Sequence, residues 1–248
     1  MTRRLFNLAI GALAAASLVL AIWPELDLAA TRWFWREGEG FWLTSHGWAA
    51  FLRRVSMWPT IALGIAAMVS LVQHIAFPAT RQFMRARAAL FLFLTVMAAP
   101  VILVNGILKE QWERGRPVHV TQFGGSGTFT PWWRPGDGMT CRTNCSFISG
   151  EASGAAWLAA PALLAPPAAR PAALAAVAVY TAVISGLRIA FGGHFLSDTL
   201  LAILATLVIV ASAHYWLVRR PGAASETVVA ERLARIGEPL RALFGRQG

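Results

Sequence analysis

The sequence predicts an all-α integral membrane protein, built as a bundle of six transmembrane helices. Three observations carry that prediction. The 248 residues are 56% hydrophobic. Only 14% are charged, against roughly 25% in soluble domains. The apolar residues also gather into six runs, each near the roughly 20 residues that a helix needs to cross a bilayer. A mean hydropathy of +0.54 points the same way.

The runs cover about 5–23, 55–76, 88–108, 152–168, 172–191 and 199–218. The first follows Thr2-Arg3-Arg4 and reads as a retained anchor, because no small-x-small cleavage pattern precedes Trp23-Pro24. Residues 24–48 form an outer segment rich in Trp, Phe and Gly. Its Trp33, Trp35, Trp42 and Trp48 suit an interfacial aromatic belt or a short helix lying on the bilayer. The one long loop, 118–148, is expected to form a wall over a site, since loops of that length are commonly functional. It contains Cys141 and Cys145, which in an oxidising outer compartment pair as a disulfide. The fourth run is short and rich in Ala and Pro.

After the sixth run, Val228, Val229, Leu233, Ile236, Leu240, Leu243 and Phe244 recur at helical spacing. Arg232, Arg235, Arg241 and Arg246 lie between them, and Pro239 is expected to kink the run. This reads as a basic amphipathic helix on the inner leaflet, or as a partner-binding helix. No repeat or soluble domain boundary interrupts the chain. The reading is one membrane domain, 1–248, with a core at about 50–218, the outer segment 24–48 and a cytoplasmic tail 222–248.

The formal charge is +10, almost all from arginine. A nucleic-acid binder displays such charge on a polar surface. Here the arginines stand at the ends of apolar runs, which fits membrane orientation and argues against nucleic acid. With six spans, Arg3 and Arg4, Arg81, Arg85 and Arg87, Arg170, and Arg219 and Arg220 share one side. The positive-inside rule makes that side cytoplasmic, although Arg32, Arg36, Arg53 and Arg54 fall opposite. Segments 24–54, 109–151 and 188–198 then face outward.

The chemistry-bearing residues all lie in those outward segments. Lys109 is the only lysine of the chain. It opens a string that ends in Arg116-Pro117, two helical turns on. Arg116 can fork two hydrogen bonds to a phosphate, and Lys109 adds a point charge. Either alone would read as a snorkelling interfacial cation. Ser149-Gly150 precedes the fourth run, where free helix amides favour an anion. Gly150 and Gly154 also make a helix-packing spacing. Arg188 stands six residues before His194, and Asp198 four residues after it. A carboxylate on one imidazole nitrogen would fix the tautomer and leave the other nitrogen free to attack. Asn105, one turn before Lys109, is a candidate support for it. His119 is a candidate contact from the loop. His46, His74 and His214, and Glu110 and Glu113, read as structural or surface residues.

Three of these strings resemble the signature of the type 2 phosphatidic acid phosphatase superfamily. Its first motif is Lys, six residues, Arg-Pro, matched by Lys109, Arg116 and Pro117. Its third is Ser-Arg, five residues, His, three residues, Asp. Arg188, His194 and Asp198 match it, with Leu187 in place of the serine. Its second is Pro-Ser-Gly-His, of which Ser149 and Gly150 match while Ile148 and Glu151 depart. The resemblance covers about residues 50–218.

It implies a six-helix fold and a reaction needing neither metal nor cofactor. His194 would attack phosphorus, oriented by Asp198. Lys109, Arg116, Ser149, Gly150 and Arg188 would bind the phosphate. The family's histidine at the position of Glu151 protonates the leaving group, so Glu151 is expected as a substitute general acid. The expected function is a lipid phosphatase at the outer face of a bacterial inner membrane. Its substrate would be a phosphate or pyrophosphate ester of lipid A, undecaprenyl pyrophosphate or phosphatidate class. A lipid-to-lipid phosphotransferase and a non-catalytic lipid-binding relative are the alternatives. The substrate lipid and the bilayer are the partners implied, and nothing in the sequence bears on oligomeric state.

Overall fold

A computed structural model describes residues 2–136 and 138–244. The described residues are mostly helical, apart from a short hairpin and the long loop. Helix α1 (Thr2–Ile22) turns by 89° at Trp23-Pro24 into the short α2 (Glu25–Arg32). A two-stranded hairpin follows, β1 (Trp35–Arg36) against β2 (Gly40–Phe41), antiparallel with Trp35 opposite Phe41. Helices α3 (Gly47–Val55) and α4 (Trp58–Ala76) then run on as one 30-residue candidate span.

Helix α5 (Ala86–Val96) widens into a π-helical stretch, Met97–Leu108, before a last turn α6 (Lys109–Gln111). Pro100 accounts for the widening. It has no N–H to donate, and its ring crowds the carbonyl one turn earlier. Asn105 Nδ2 then donates to the Pro100 carbonyl at 2.6 Å, so Asn105 serves this irregular turn.

Beyond the loop come α7 (Gly150–Trp157), α8 (Ala159–Leu164), α9 (Arg170–Ala190), α10 (Leu196–His214, prolonged by Tyr215–Arg219) and α11 (Glu226–Phe244). Among the described residues, four helices are long and apolar enough to cross a membrane. Counting the bent pair α1–α2 makes five. The fourth expected span is α7 with α8. It is broken at Leu158 and covers only about 22 Å at the helical rise of 1.5 Å per residue. The expected six is therefore not reached by length.

What α7 does instead is pack in the middle of the bundle. Its sequence Gly-Glu-Ala-Ser-Gly-Ala-Ala lets neighbours approach closely. Thr60 of α4 donates to the Gly154 carbonyl at 2.7 Å, and Ser153 bonds Thr206 of α10 at 2.7 Å. Trp157 is fully buried among Ala67, Phe91, Leu92, Val96 and Val210. Its indole N–H donates to Thr95 at 2.9 Å, which satisfies the polar end of the ring. Outward faces carry exposed apolar residues such as Leu18, Ile61, Ile65, Val179 and Val183, as a surface solvated by lipid requires.

Helix α11 meets protein rather than presenting its whole apolar face to lipid. Val229 and Leu233 bury against Leu71, Ala86 and Ala89 of α4 and α5. Arg241 donates to the Ile75 carbonyl at the end of α4. Arg246, expected on the same tail, lies outside the described residues. The outer tryptophans divide. Trp33 and Trp48 are exposed, as a belt requires. Trp35 instead packs on Phe123 of the long loop, beside Phe41 and Phe195. The 24–48 segment is thus folded onto the residues that carry the site.

Candidate active site

The ends of the helices bring the motif residues together. Lys109 begins α6, the last turn of the α5–α6 run, Ser149 caps α7 and Gly150 begins it, Arg188 lies in the last turn of α9, and His194 precedes α10. The arginine-rich turns at Arg85–Arg87, Arg170 and Arg219–Arg220 fall at the other ends of the same helices.

His194 is the centre, 1% exposed. Its Nδ1 lies 2.7 Å from the Ser146 carbonyl. A carbonyl can only accept, so Nδ1 carries the proton and Nε2 keeps its lone pair. Burial first, then the charges of Arg188, Arg116 and Lys109, push the imidazole pKa well below the ordinary histidine range. The bond to Ser146 opposes this in part. A neutral ring with a free Nε2 can act as a nucleophile or a base.

The expected direct bond from Asp198 to His194 is not what forms. Asp198 Oδ2 stands 3.9 Å from Nδ1, because that oxygen is already occupied. It accepts from Ser146 Oγ at 2.5 Å and from the Phe195 N–H at 2.8 Å. Asp198 therefore caps α10 and fixes Ser146, whose carbonyl in turn fixes His194. The carboxylate acts on the ring at one remove.

Sequence reasoning missed the group that anchors Asp198. Arg114 is fully buried. It donates from Nη1 to Asp198 Oδ1 at 2.5 Å and to Ser197 Oγ at 2.8 Å. It also donates from Nη2 to Asp27 Oδ2 at 2.7 Å, and from Nε to the Thr130 carbonyl at 2.9 Å. Its guanidinium lies 4.6 Å from the centre of the Phe195 ring. Burial works against the charge, but Asp198 and Asp27 outweigh it and hold the pKa above the ordinary arginine range. Asp27, from α2, also accepts from the Ser197 N–H and Oγ–H, each at 2.7 Å. The two acids meet the free amides at the start of α10, where the helix dipole favours negative charge.

Residues 144–146 tie the motifs together. The Asn144 carbonyl accepts from Arg116 Nη2 at 2.7 Å. Cys145 forms a disulfide with Cys141. The Ser146 N–H donates to the Arg114 carbonyl at 2.8 Å. The long loop thus contributes backbone to the site, not only a cover. Ser149 caps α7, accepting from the Ala152 N–H at 3.3 Å, and its own N–H donates to the Asp198 carbonyl at 3.0 Å.

Glu151 Oε2 lies 3.4 Å from Arg188 Nε, with the Glu151 side chain about a quarter exposed. Arg188 fits because of Gly193. A Cβ there would come within 2.6 Å of Arg188 Nη2, and the preceding Gly192 needs a φ of +62°. Burial and the charge of Arg53, at the end of α3, lower the Arg116 pKa, and Glu151 and Asp198 oppose this. From the sequence alone Arg53 is only an orientation marker. His119 meets the site through Arg116, whose N–H lies 3.4 Å from its Nδ1. Its pKa is lowered by burial and then by Arg116. Among the described residues no three His, Cys, Asp or Glu side chains are grouped to hold a metal ion.

The chain is 40% identical over 119 residues to a lipid A 4'-phosphatase of Rhizobium leguminosarum, covering 48% of this chain and 50% of that protein. A protein of the same name from Rhizobium etli is 42% identical over 118 residues, 47% of this chain and 45% of its own length. A third lipid A 4'-phosphatase, from Francisella tularensis subsp. novicida, is 29% identical over 74% of this chain and 82% of its own. The chain thus spans about half the length of the two Rhizobium relatives it matches. No solved structure shows a significant match. The model of the PAP2 superfamily matches residues 88–221. That match covers more than half of the chain and contains Lys109, Arg116, Arg188, His194 and Asp198, so the chain belongs to the PAP2 superfamily.

Proposed function

We propose that this protein is a membrane lipid phosphatase that removes a phosphate from a lipid A-type substrate through a phosphohistidine. The observation that carries the reading is the buried His194, held as the Nδ1–H tautomer with Nε2 free under three cationic side chains. Nε2 forms the new bond to phosphorus as the bond from phosphorus to the lipid oxygen breaks. Lys109, Arg116 and Arg188 neutralise the charge on the equatorial oxygens, joined by the Ser149 hydroxyl and the Gly150 N–H. Positioning and charge neutralisation supply most of the rate in such transfers. Glu151, at the mouth of the site, gives the leaving oxygen its proton. Water then cleaves the phosphorus–nitrogen bond and releases phosphate.

The lipid A assignment leans on the names of the three relatives. The arginine-rich turns at the opposite helix ends support placing the site at the outer face of the inner membrane. Since Asp27 and the hairpin fold onto the site, the 24–48 segment belongs with the core in one membrane domain.

The test is phosphate release by detergent-purified protein with EDTA present, across lipid A, undecaprenyl pyrophosphate and phosphatidate. Lipid A should give the highest rate, with loss of its 4'-phosphate. His194→Ala should reduce release to background, and Glu151→Gln should lower turnover by about a hundredfold, the low end for a lost general acid. Wild-type release by His194→Ala would reject the histidine mechanism. Unchanged turnover in Glu151→Gln would remove Glu151 from the acid role. A higher rate on another lipid would reject the lipid A assignment.

A further inference from the structure

A second group of cations lies at the other end of the bundle, where no step of the proposed reaction takes place. A cavity of about 240 Å³ opens between α5, α8, α9 and the end of α10, lined by Arg85, Arg87, Arg170, Arg219, His214 and Glu226. Helix α9 runs from Arg170 at this cavity to Arg188 in the candidate site, a separation of about 27 Å at the helical rise.

Four guanidinium groups around one cavity call for negative charge. Among the described residues none of the four has a carboxylate within ion-pair distance. The acid that lines the cavity, Glu226, is engaged elsewhere. Its two oxygens accept from the Ala86 N–H at 2.6 Å and the Arg87 N–H at 3.2 Å, the free amides that begin α5. Arg87 reaches the Ala224 carbonyl at 3.3 Å and Arg170 the Ala165 carbonyl at 3.0 Å. Those bonds hold the side chains in place without neutralising them. Two polar atoms of the lining are also buried with no hydrogen-bond partner, Arg170 Nε and His214 Nδ1. His214 is 2% exposed. Buried polar atoms are nearly always satisfied, so Arg170 Nε, which can only donate, marks the place of an absent acceptor, and His214 Nδ1 beside it would donate to the same group in its Nδ1–H tautomer.

We propose that this cavity binds a phosphate group, supplied by the headgroup of an anionic phospholipid or by free phosphate. The guanidinium fork matches two phosphate oxygens, and basic pockets between helix ends at a membrane surface suit anionic headgroups. The ligand would bridge the ends of α5, α9 and α10 beside the start of α11. The site shares no residue with the proposed reaction, so the two can fail separately.

The experiment is hydrogen–deuterium exchange on the full chain in neutral detergent micelles. One arm adds inorganic phosphate, a second dihexanoyl-phosphatidylglycerol, and a third dihexanoyl-phosphatidylcholine as the headgroup without net charge. Exchange should slow in peptides covering 84–90 and 220–230 on adding at least one of the first two. Protection by phosphate identifies the free anion as sufficient. Protection by the glycerol lipid alone identifies the headgroup as the source. Either supports the site. Arg85→Gln/Arg219→Gln, both at exposed positions, should shift half-saturation upward about tenfold or more, as losing charge-assisted hydrogen bonds implies. The same variant should release phosphate from lipid at the wild-type rate, and the protection should persist in His194→Ala. No protection in either of the first two arms, equal protection by the choline lipid, or an unshifted half-saturation in the double variant would overturn the proposal.

Discussion

Replacing Arg114 with methionine should destabilise this protein strongly. The guanidinium bonds two carboxylates, Asp27 at 1% and Asp198 at 0% exposure, and makes four hydrogen bonds in all. Methionine fills most of the stem volume but leaves both acids in the interior without their cation. Removing one partner of a buried ion pair costs about 3–5 kcal/mol. Here one cation serves two acids, so the upper half of that range applies. For a chain of this length each kcal/mol moves the melting temperature by roughly 2–4 °C, so the expected drop is about 10–20 °C. Asp27→Asn in the Arg114→Met background removes one uncompensated charge and should restore part of the loss. The double-mutant cycle should therefore show a coupling of about 2 kcal/mol or more. The assay is thermal unfolding in detergent followed by tryptophan fluorescence. A single variant within about 1 kcal/mol of wild type, or a cycle with no coupling, would refute the reasoning.

Three further outcomes are expected. Gly193→Ala should lower kcat/KM for phosphate release by about tenfold or more with little change in melting temperature, because the new Cβ would meet Arg188 Nη2 at 2.6 Å. Cys141→Ser/Cys145→Ser should lose about 2 kcal/mol, the loop-closure value for so short a ring. It should also lose activity, since Asn144 and Ser146 on either side of Cys145 hold Arg116 and His194. The depressed pKa of His194 predicts a pH-dependent stability. As the pH falls below about 6.5 the unfolded chain binds a proton that the native ring refuses. Wild type should therefore lose stability relative to His194→Gln by up to about 1.4 kcal/mol per pH unit. The loss levels off below the folded-state pKa, and above 6.5 the difference should be flat. Melting curves of the two proteins from pH 4 to 8 test this, and a difference independent of pH would contradict it.

How much of this was legible in the sequence depended on how local the signal was. The apolar runs were readable because the bilayer sets a length and a composition. The motif residues were readable because each string spans only a few residues at a helix end or across the short turn between two helices, where sequence spacing limits position. The disulfide joins cysteines four residues apart, and its pairing was equally local. Arg114 stood only two residues from Arg116 and gave no sign of being different. Its partners Asp27 and Asp198 lie 87 and 84 residues away, and no local pattern spans that distance. The group that sets the His194 tautomer is a backbone carbonyl, which every residue carries, so no side-chain identity announces it.

The sequence by itself therefore determined a helical membrane bundle with a lysine, arginines, a histidine and an aspartate at common helix ends. The tertiary structure decided which groups touch. It placed Ser146 between Asp198 and His194, buried the Asp27–Arg114–Asp198 network, kept α7–α8 short and central, and docked α11 on α4 and α5. Periodicity and composition report the environment a segment needs. Partnership between distant residues is set by how the helices pack, which no single segment encodes.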